Sequence, residues 1–225
     1  MKQFSLYLIL MAGILLTTSS MAQSVQYTDA WSNEGFSIRS QQHDGVEIDF
    51  SIHGLHFSDI ILQGEKMTEI GLPGSFLFND EGCPNLPGNG RLIAIPNGSV
   101  PKLKILKVRE EIMSGMEIVP APRIPKENES GPLQQEKNPQ VYTTDAYYPA
   151  DPVTMSASME IRGVQAVMLG ITPFRYNPVT KELRIIRDLS IAISFEGGNG
   201  QFGEERLRSR FWDPILEDEI GRAHV

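Results

Sequence analysis

In the stretch VEIDFSIHGLHF, apolar and polar residues take turns. Val46, Ile48, Phe50 and Ile52 point one way, and Glu47, Asp49 and Ser51 the other. A period of two marks a half-buried β-strand. The next stretch, HFSDIILQGEKMTEI, holds two short β runs on either side of Gly64 and predicts a hairpin. GLPGSF and CPNLPGNG are rich in Gly and Pro and read as loops. Leu92 to Ile95 forms a short apolar strand that Pro96 ends. Asn97-Gly98 is a turn signal, after which Leu103, Ile105 and Val108 resume strand character out of strict phase.

A different kind of segment follows. Pro120 to Pro152 carries seven of the fifteen prolines, with the aperiodic polar runs KENESG and LQQEKN between them. A loop of this length is usually functional or disordered. Strand patterns then return at Val153–Met159, in GVQAVMLGITPF, and in LRIIRDLSIAISF. In the last of these Leu189, Ile191, Ile193 and Phe195 face a core, opposite the small Ser190, Ala192 and Ser194. TPFRYNPVTKEL reads as the hairpin turn before it, with Phe174 and Tyr176 packed over the turn and Asn177-Pro178 starting the reversal. EGGNGQFG ends the sheet in a flexible glycine run. Beyond it, the spacing of Leu207 and Phe211, with Asp213-Pro214 after them, suggests a short helical tail. The expected fold is all-β: an antiparallel β-sandwich or jelly-roll-like domain with a long Pro-rich loop.

The first residues belong to another story. A basic start at Lys2, an apolar run from Phe4 to Leu16, and small Ser20 and Ala22 occur in the order of a secretory signal peptide. The apolar run is shorter than the about 20 residues a membrane helix needs. Cleavage is expected between Ala22 and Gln23, which makes the chain exported: first to a periplasm, then to the medium or the cell surface. Losing Lys2 takes the formal charge from −8 to −9. With no basic patch or arginine-rich arm, this balance argues against a nucleic-acid partner. Cys83 is the single cysteine, so the domain rests on its core rather than on disulfides. It lies in a turn-rich segment, where an inert thiol is expected.

Catalytic chemistry is hard to place. The sequence has no GxSxG elbow, phosphate loop or dinucleotide fingerprint. Its histidines are His43, His53, His56 and His224. Strand spacing puts His53 and His56 on opposite faces, and no third residue gives zinc spacing. No metal or other cofactor is expected. FSIHG looks like the strand and His-Gly pair of gingipain- and caspase-like cysteine peptidases. Cys83, however, follows an acidic turn, and the strand before His53 alternates instead of being apolar throughout. A His53–Cys83 dyad is therefore not expected.

Four segments in order carry a resemblance: GCPNLPGNGRLIAIPNGSVP, VYTTDAYYPADPV, IRGVQAVMLGITPFRYNPVTKELRIIRDLSIAISFEGG and RLRSRFWDPIL. Together, over Val46 to Leu216, they resemble the N-terminal propeptide of gingipain-type cysteine peptidases of Bacteroidetes-like bacteria. On that resemblance, residues 1–22 are a signal peptide, 23–200 the propeptide β domain with its loop at 120–152, and 201–225 a tail leading toward a catalytic domain. Neither that domain nor a sorting domain is in the sequence, so a piece of a longer precursor is expected, with a free-standing propeptide as the other option.

The resemblance implies an intramolecular chaperone and inhibitor whose partner is a cysteine peptidase catalytic domain, in cis or in trans. The chain would share in peptidase function only as part of such a precursor. Arg123 or Lys126 would enter the specificity pocket of a peptidase that prefers basic residues. Arg206, Arg208 and Arg210 would be processing sites in an accessible tail. The competing reading is an exported, non-catalytic β-sandwich that binds a glycan or a surface protein, although the sequence has no aromatic ladder to favour it.

Overall fold

The computed structural model describes residues 23–78 and 80–204. The leader, Ala22 included, and the tail with Arg206, Arg208 and Arg210 lie outside the described residues, as does the expected tail helix. Among the described residues, thirteen strands and one short helix run in this order: β1 (Gln23–Gln26), β2 (Gly35–Gln42), β3 (Gly45–Ser51), β4 (Gly54–Leu62), β5 (Glu65–Gly71), β6 (Phe76–Leu77), β7 (Pro87–Ala94), β8 (Ser99–Ser114), α1 (Pro139–Tyr142), β9 (Val153–Met155), β10 (Met159–Ile161), β11 (Val164–Ile171), β12 (Phe174–Asn177) and β13 (Glu182–Gly197).

These strands make two five-stranded sheets and one of three strands. The first sheet has the order β12-β13-β3-β2, with β8 also on β13. β13 is its spine: it pairs with β8 from Glu182 to Gly197, with β12 at its start and with β3 along its second half. The second sheet has the order β10-β11-β7-β6, with β9 also on β11, and the third is β1-β4-β5. All strand pairings are antiparallel.

The period-two pattern decides what these sheets bury. Val46, Ile48 and Phe50 of β3 turn inward, while Glu47 and Asp49 stay part-exposed. They join Leu183, Ile185, Leu189, Ile191 and Ile193 of β13 and Ile93, Val167, Leu169 and Ile171 of the second sheet in one core. Packing of two sheets face to face through interdigitated apolar side chains is a sandwich.

Local chemistry sets the turns. Gln63 and Gly64 between β4 and β5 both have positive φ, +52° and +85°, the pattern of a tight two-residue hairpin. Between β12 and β13, Asn177 Oδ1 accepts from the amides of Val179 and Thr180 at 3.0 and 3.3 Å, an Asx turn. Phe174 and Tyr176 do not cover that turn; both are fully buried in the core, and the Tyr176 hydroxyl donates to Met116 O at 2.9 Å.

Some boundaries differ from those expected. PGNG is not loop but the first half of β7. Its glycines are there because aromatic rings lie on them. A Cβ at Gly88 would fall 2.2 Å from the Phe78 ring and 2.7 Å from Ile171 O. The β8 strand is far longer than its apolar residues suggested, and a register shift opposite Ser190/Ile191 explains the broken phase around Leu106. Residues 153–159 divide between β9 and β10.

A charged side chain, Asp188, is fully buried in β13. Its carboxylate accepts from Ser51 Oγ at 2.7 Å, from the Trp31 amide at 2.7 Å and from Arg109 Nε at 2.6 Å. Arg109 and Arg187 both also hold Asp29. This network straps residues 29–32 across the outer face of the first sheet.

Candidate functional site: a clamped loop

The proline-rich stretch is less free than its composition suggests. Val119 and Ala121 are buried, and Pro120 bridges to Pro84. Gly82 N donates to Ala121 O, Ala121 N to Cys83 O, and Asn138 N to Gly82 O, at 3.0, 2.7 and 2.8 Å. Both arms of the stretch are thus stitched to the turn at residues 80–85. Gly82 has φ +74°, and a Cβ there would meet Glu136 O at 2.9 Å, so glycine alone fits without strain. At the far end, Tyr148 and Tyr176 exchange two backbone hydrogen bonds of 2.8 Å, followed by a cis Tyr148-Pro149 bond.

What projects is the segment from Arg123 to Gln134. Arg123 N donates to Gln134 O at 2.8 Å and closes the neck. Gln135 Nε2 donates to Pro120 O at 3.2 Å just below it. Every residue from Ile124 to Leu133 is exposed, Ile124 by 71% and Leu133 by 56%.

A carboxylate organises the inside of this loop. Glu129 Oε2 accepts from Arg123 Nη2 at 2.7 Å and from the Lys126 amide at 3.2 Å. Glu129 N in turn donates to Lys126 O at 2.9 Å, which makes a tight turn of Lys126–Glu129 at the tip. Arg123 Nε donates to Gln134 Oε1 at 3.1 Å. The Arg123 guanidinium, followed by the Lys126 amide, holds the Glu129 carboxyl below the usual range. The same bond to Glu129 pushes Arg123 further up.

The two basic residues singled out from the sequence therefore share one loop but play unequal parts. Arg123 is engaged at the neck. Lys126 has a pinned backbone and an exposed side chain at the tip. Glu129 was not singled out from the sequence, because no periodic spacing in this Pro-rich stretch ties it to Arg123 or Lys126; the folded loop brings the three together. The structure gives His53 and Cys83 separate surroundings: His53 Nε2 lies 2.8 Å from Ser32 O, while Cys83 sits by Tyr148 and Asp80. Burial pushes the Cys83 thiol up, the opposite of what a nucleophile needs. Among the described residues, no three His, Cys, Asp or Glu side chains are grouped to hold a metal. No described helix is long and apolar enough to cross a membrane. Of the two residues at the expected leader boundary, Gln23 opens β1, paired with Phe57.

Taken together, this is a β scaffold of antiparallel sheets that holds out a preformed loop. The Propeptide_C25 family model matches residues 33–206, and the chain belongs to that family. Lys-gingipain of Porphyromonas gingivalis strain ATCC 33277 is 25% identical over 219 residues, which cover 93% of this chain and 12% of that protein. Gingipain R2 of Porphyromonas gingivalis strain W83 is 27% identical over 182 residues, 75% of this chain and 23% of that protein. The chain thus spans about an eighth of the Lys-gingipain length. Among solved structures, a chain from the complex of Porphyromonas gingivalis RgpB pro- and mature domains superposes with a TM-score of 0.75 at 20% identity. That match covers 86% of this chain and all of the other. A structure described as giving insight into zymogenic latency of gingipain K, from the same organism, gives 0.64 at 18% identity, covering 79% and 99%. The expected all-β propeptide fold is the fold observed.

Proposed function

We propose that this chain is the pro-region of a secreted gingipain-type cysteine endopeptidase precursor, and that it keeps the peptidase latent until it is cut away. The observation that carries this reading is the Arg123–Gln134 loop: a projecting segment that carries Arg123 and Lys126 and is held in one shape on a propeptide-family scaffold. An inhibitor needs a segment that enters a cleft without losing much entropy, and a loop clamped before binding meets that need. A carboxylate-lined specificity pocket would pair with a basic side chain from it. The same scaffold would serve the catalytic domain as a folding template. The partner is a cysteine peptidase domain, joined in cis or met in trans.

Export follows from the leader, with cleavage between Ala22 and Gln23. Release would follow from cutting in the tail at Arg206, Arg208 or Arg210. The test is to add the chain from Gln23 onward to Lys-gingipain and to gingipain R2 and follow peptide hydrolysis. The expected result is dose-dependent inhibition of at least one of them that fades as the chain is degraded. Full activity of both enzymes in excess chain would sink the reading.

A further inference from the structure

We infer that Lys126, not Arg123, is the basic side chain this loop presents, and that Glu129 is the positioning residue that enforces the choice. The inference rests on the latency reading and narrows it: the partner is a peptidase whose specificity pocket accepts lysine.

The two side chains sit in opposite settings. For Arg123 to leave the loop, its guanidinium must give up Glu129 Oε2 at 2.7 Å and Gln134 Oε1 at 3.1 Å. The first of these bonds is charge-assisted, the stronger kind. Its backbone amide would meanwhile stay fixed to Gln134 O at 2.8 Å, in the neck rather than at the tip. Arg123 is thus part of the frame.

Lys126 has the opposite arrangement. Both its amide and its carbonyl are bonded to Glu129, which fixes its backbone. Its side chain is exposed, and no ion pair with its ammonium occurs among the described residues. Pro125 before it fixes one backbone angle and restricts Ile124. Ile124, 71% exposed, offers an apolar contact on the approach. A stiff backbone carrying one unpaired cation is what a pocket-filling residue requires. Lysine also carries a compact charge where arginine carries a planar fork, so the two do not serve one pocket equally.

Two arms test this. In the first, the chain from Gln23 onward is digested in its native state with a lysine-specific or an arginine-specific endopeptidase and followed by intact mass. Lys126–Glu127 is expected to be cut at least about tenfold faster than Arg123–Ile124, which needs local opening. Glu129→Gln should remove that difference, and Glu129→Asp should restore much of it. In the second arm, variants inhibit Lys-gingipain and gingipain R2. Lys126→Ala should weaken inhibition by roughly 30-fold or more, the effect of losing a central anchor. Arg123→Ala should cost about tenfold or less, and Lys126→Arg should move preference toward gingipain R2. Equal native cleavage at both bonds overturns the inference. So does a loss of inhibition in Arg123→Ala that Lys126→Ala does not share. If the cleavage pattern holds but neither peptidase is inhibited, the latency reading fails and takes the presented role with it, while the clamp by Glu129 stands.

Discussion

Two carboxylates show how differently one side chain is used in a buried and in an exposed setting. Asp188 has no access to water and is kept by three donors, from Ser51, Trp31 and Arg109. Removing it leaves those donors, two of them on the strapped face, without their acceptor. Asp188→Ala is expected to cost roughly 2–4 kcal/mol, read as a lower urea midpoint. A midpoint within error of the parent would show that the network contributes little. Glu129 is exposed, and its bonds are local, so its effect is on loop order and follows pH. Its folded pKa is lowered, chiefly by the bond from Arg123. Its contribution is therefore present above the ordinary value of about 4.5 and is lost as pH falls through the lowered one. An NMR titration of the Arg123 side-chain N–H and the Lys126 amide should show a common midpoint below 4.5. A midpoint at or above that value contradicts the clamp.

At the scale of elements, the strands were legible wherever one face met water and the other the core. The β3 strand and the β4–β5 hairpin could be read because alternation and turn chemistry agree there. What the sequence hid was anything set by contacts between distant segments. The glycines of β7 read as loop residues, yet they are strand residues over which the rings of Phe76 and Phe78 lie. Gly88→Ala would push a methyl into the Phe78 ring and toward the backbone oxygen of Ile171. We expect a loss of about 1–3 kcal/mol, seen as a lower thermal midpoint. Unchanged stability would mean that the Phe78 ring and the β7–β11 spacing at Ile171 give way freely. The Pro-rich stretch was legible as exposed, but its clamp was not. Arg123, Glu129 and Gln134 carry no periodic signal, and only the folded loop brings them within bonding distance. The choice between Arg123 and Lys126 was for that reason open in the sequence and becomes unequal in the structure.

On the scale of the molecule, stability and the proposed function sit in separable parts. The core lies between the sheets, and the loop from Ile124 to Leu133 adds no buried side chain to it. Arg123 N and Gln134 O are already 2.8 Å apart, as in the closing pair of a hairpin. Replacing residues 124–133 with Asn-Gly would join those ends by a turn suited to that geometry. The shortened chain should keep its fold, with a thermal midpoint within about 4 °C of the parent, since shortening an exposed loop changes closure entropy only slightly. Inhibition of whichever gingipain the parent inhibits should fall by about 100-fold or more, because an inhibitor of this kind concentrates its binding in a few central residues. Circular dichroism and inhibition assays on one preparation separate the two effects. A shortened chain that folds and still inhibits as the parent does would move the inhibitory surface from the loop to a sheet face. The strapped outer face of the first sheet, where Trp31 lies over Arg109, would then be the next surface to alter.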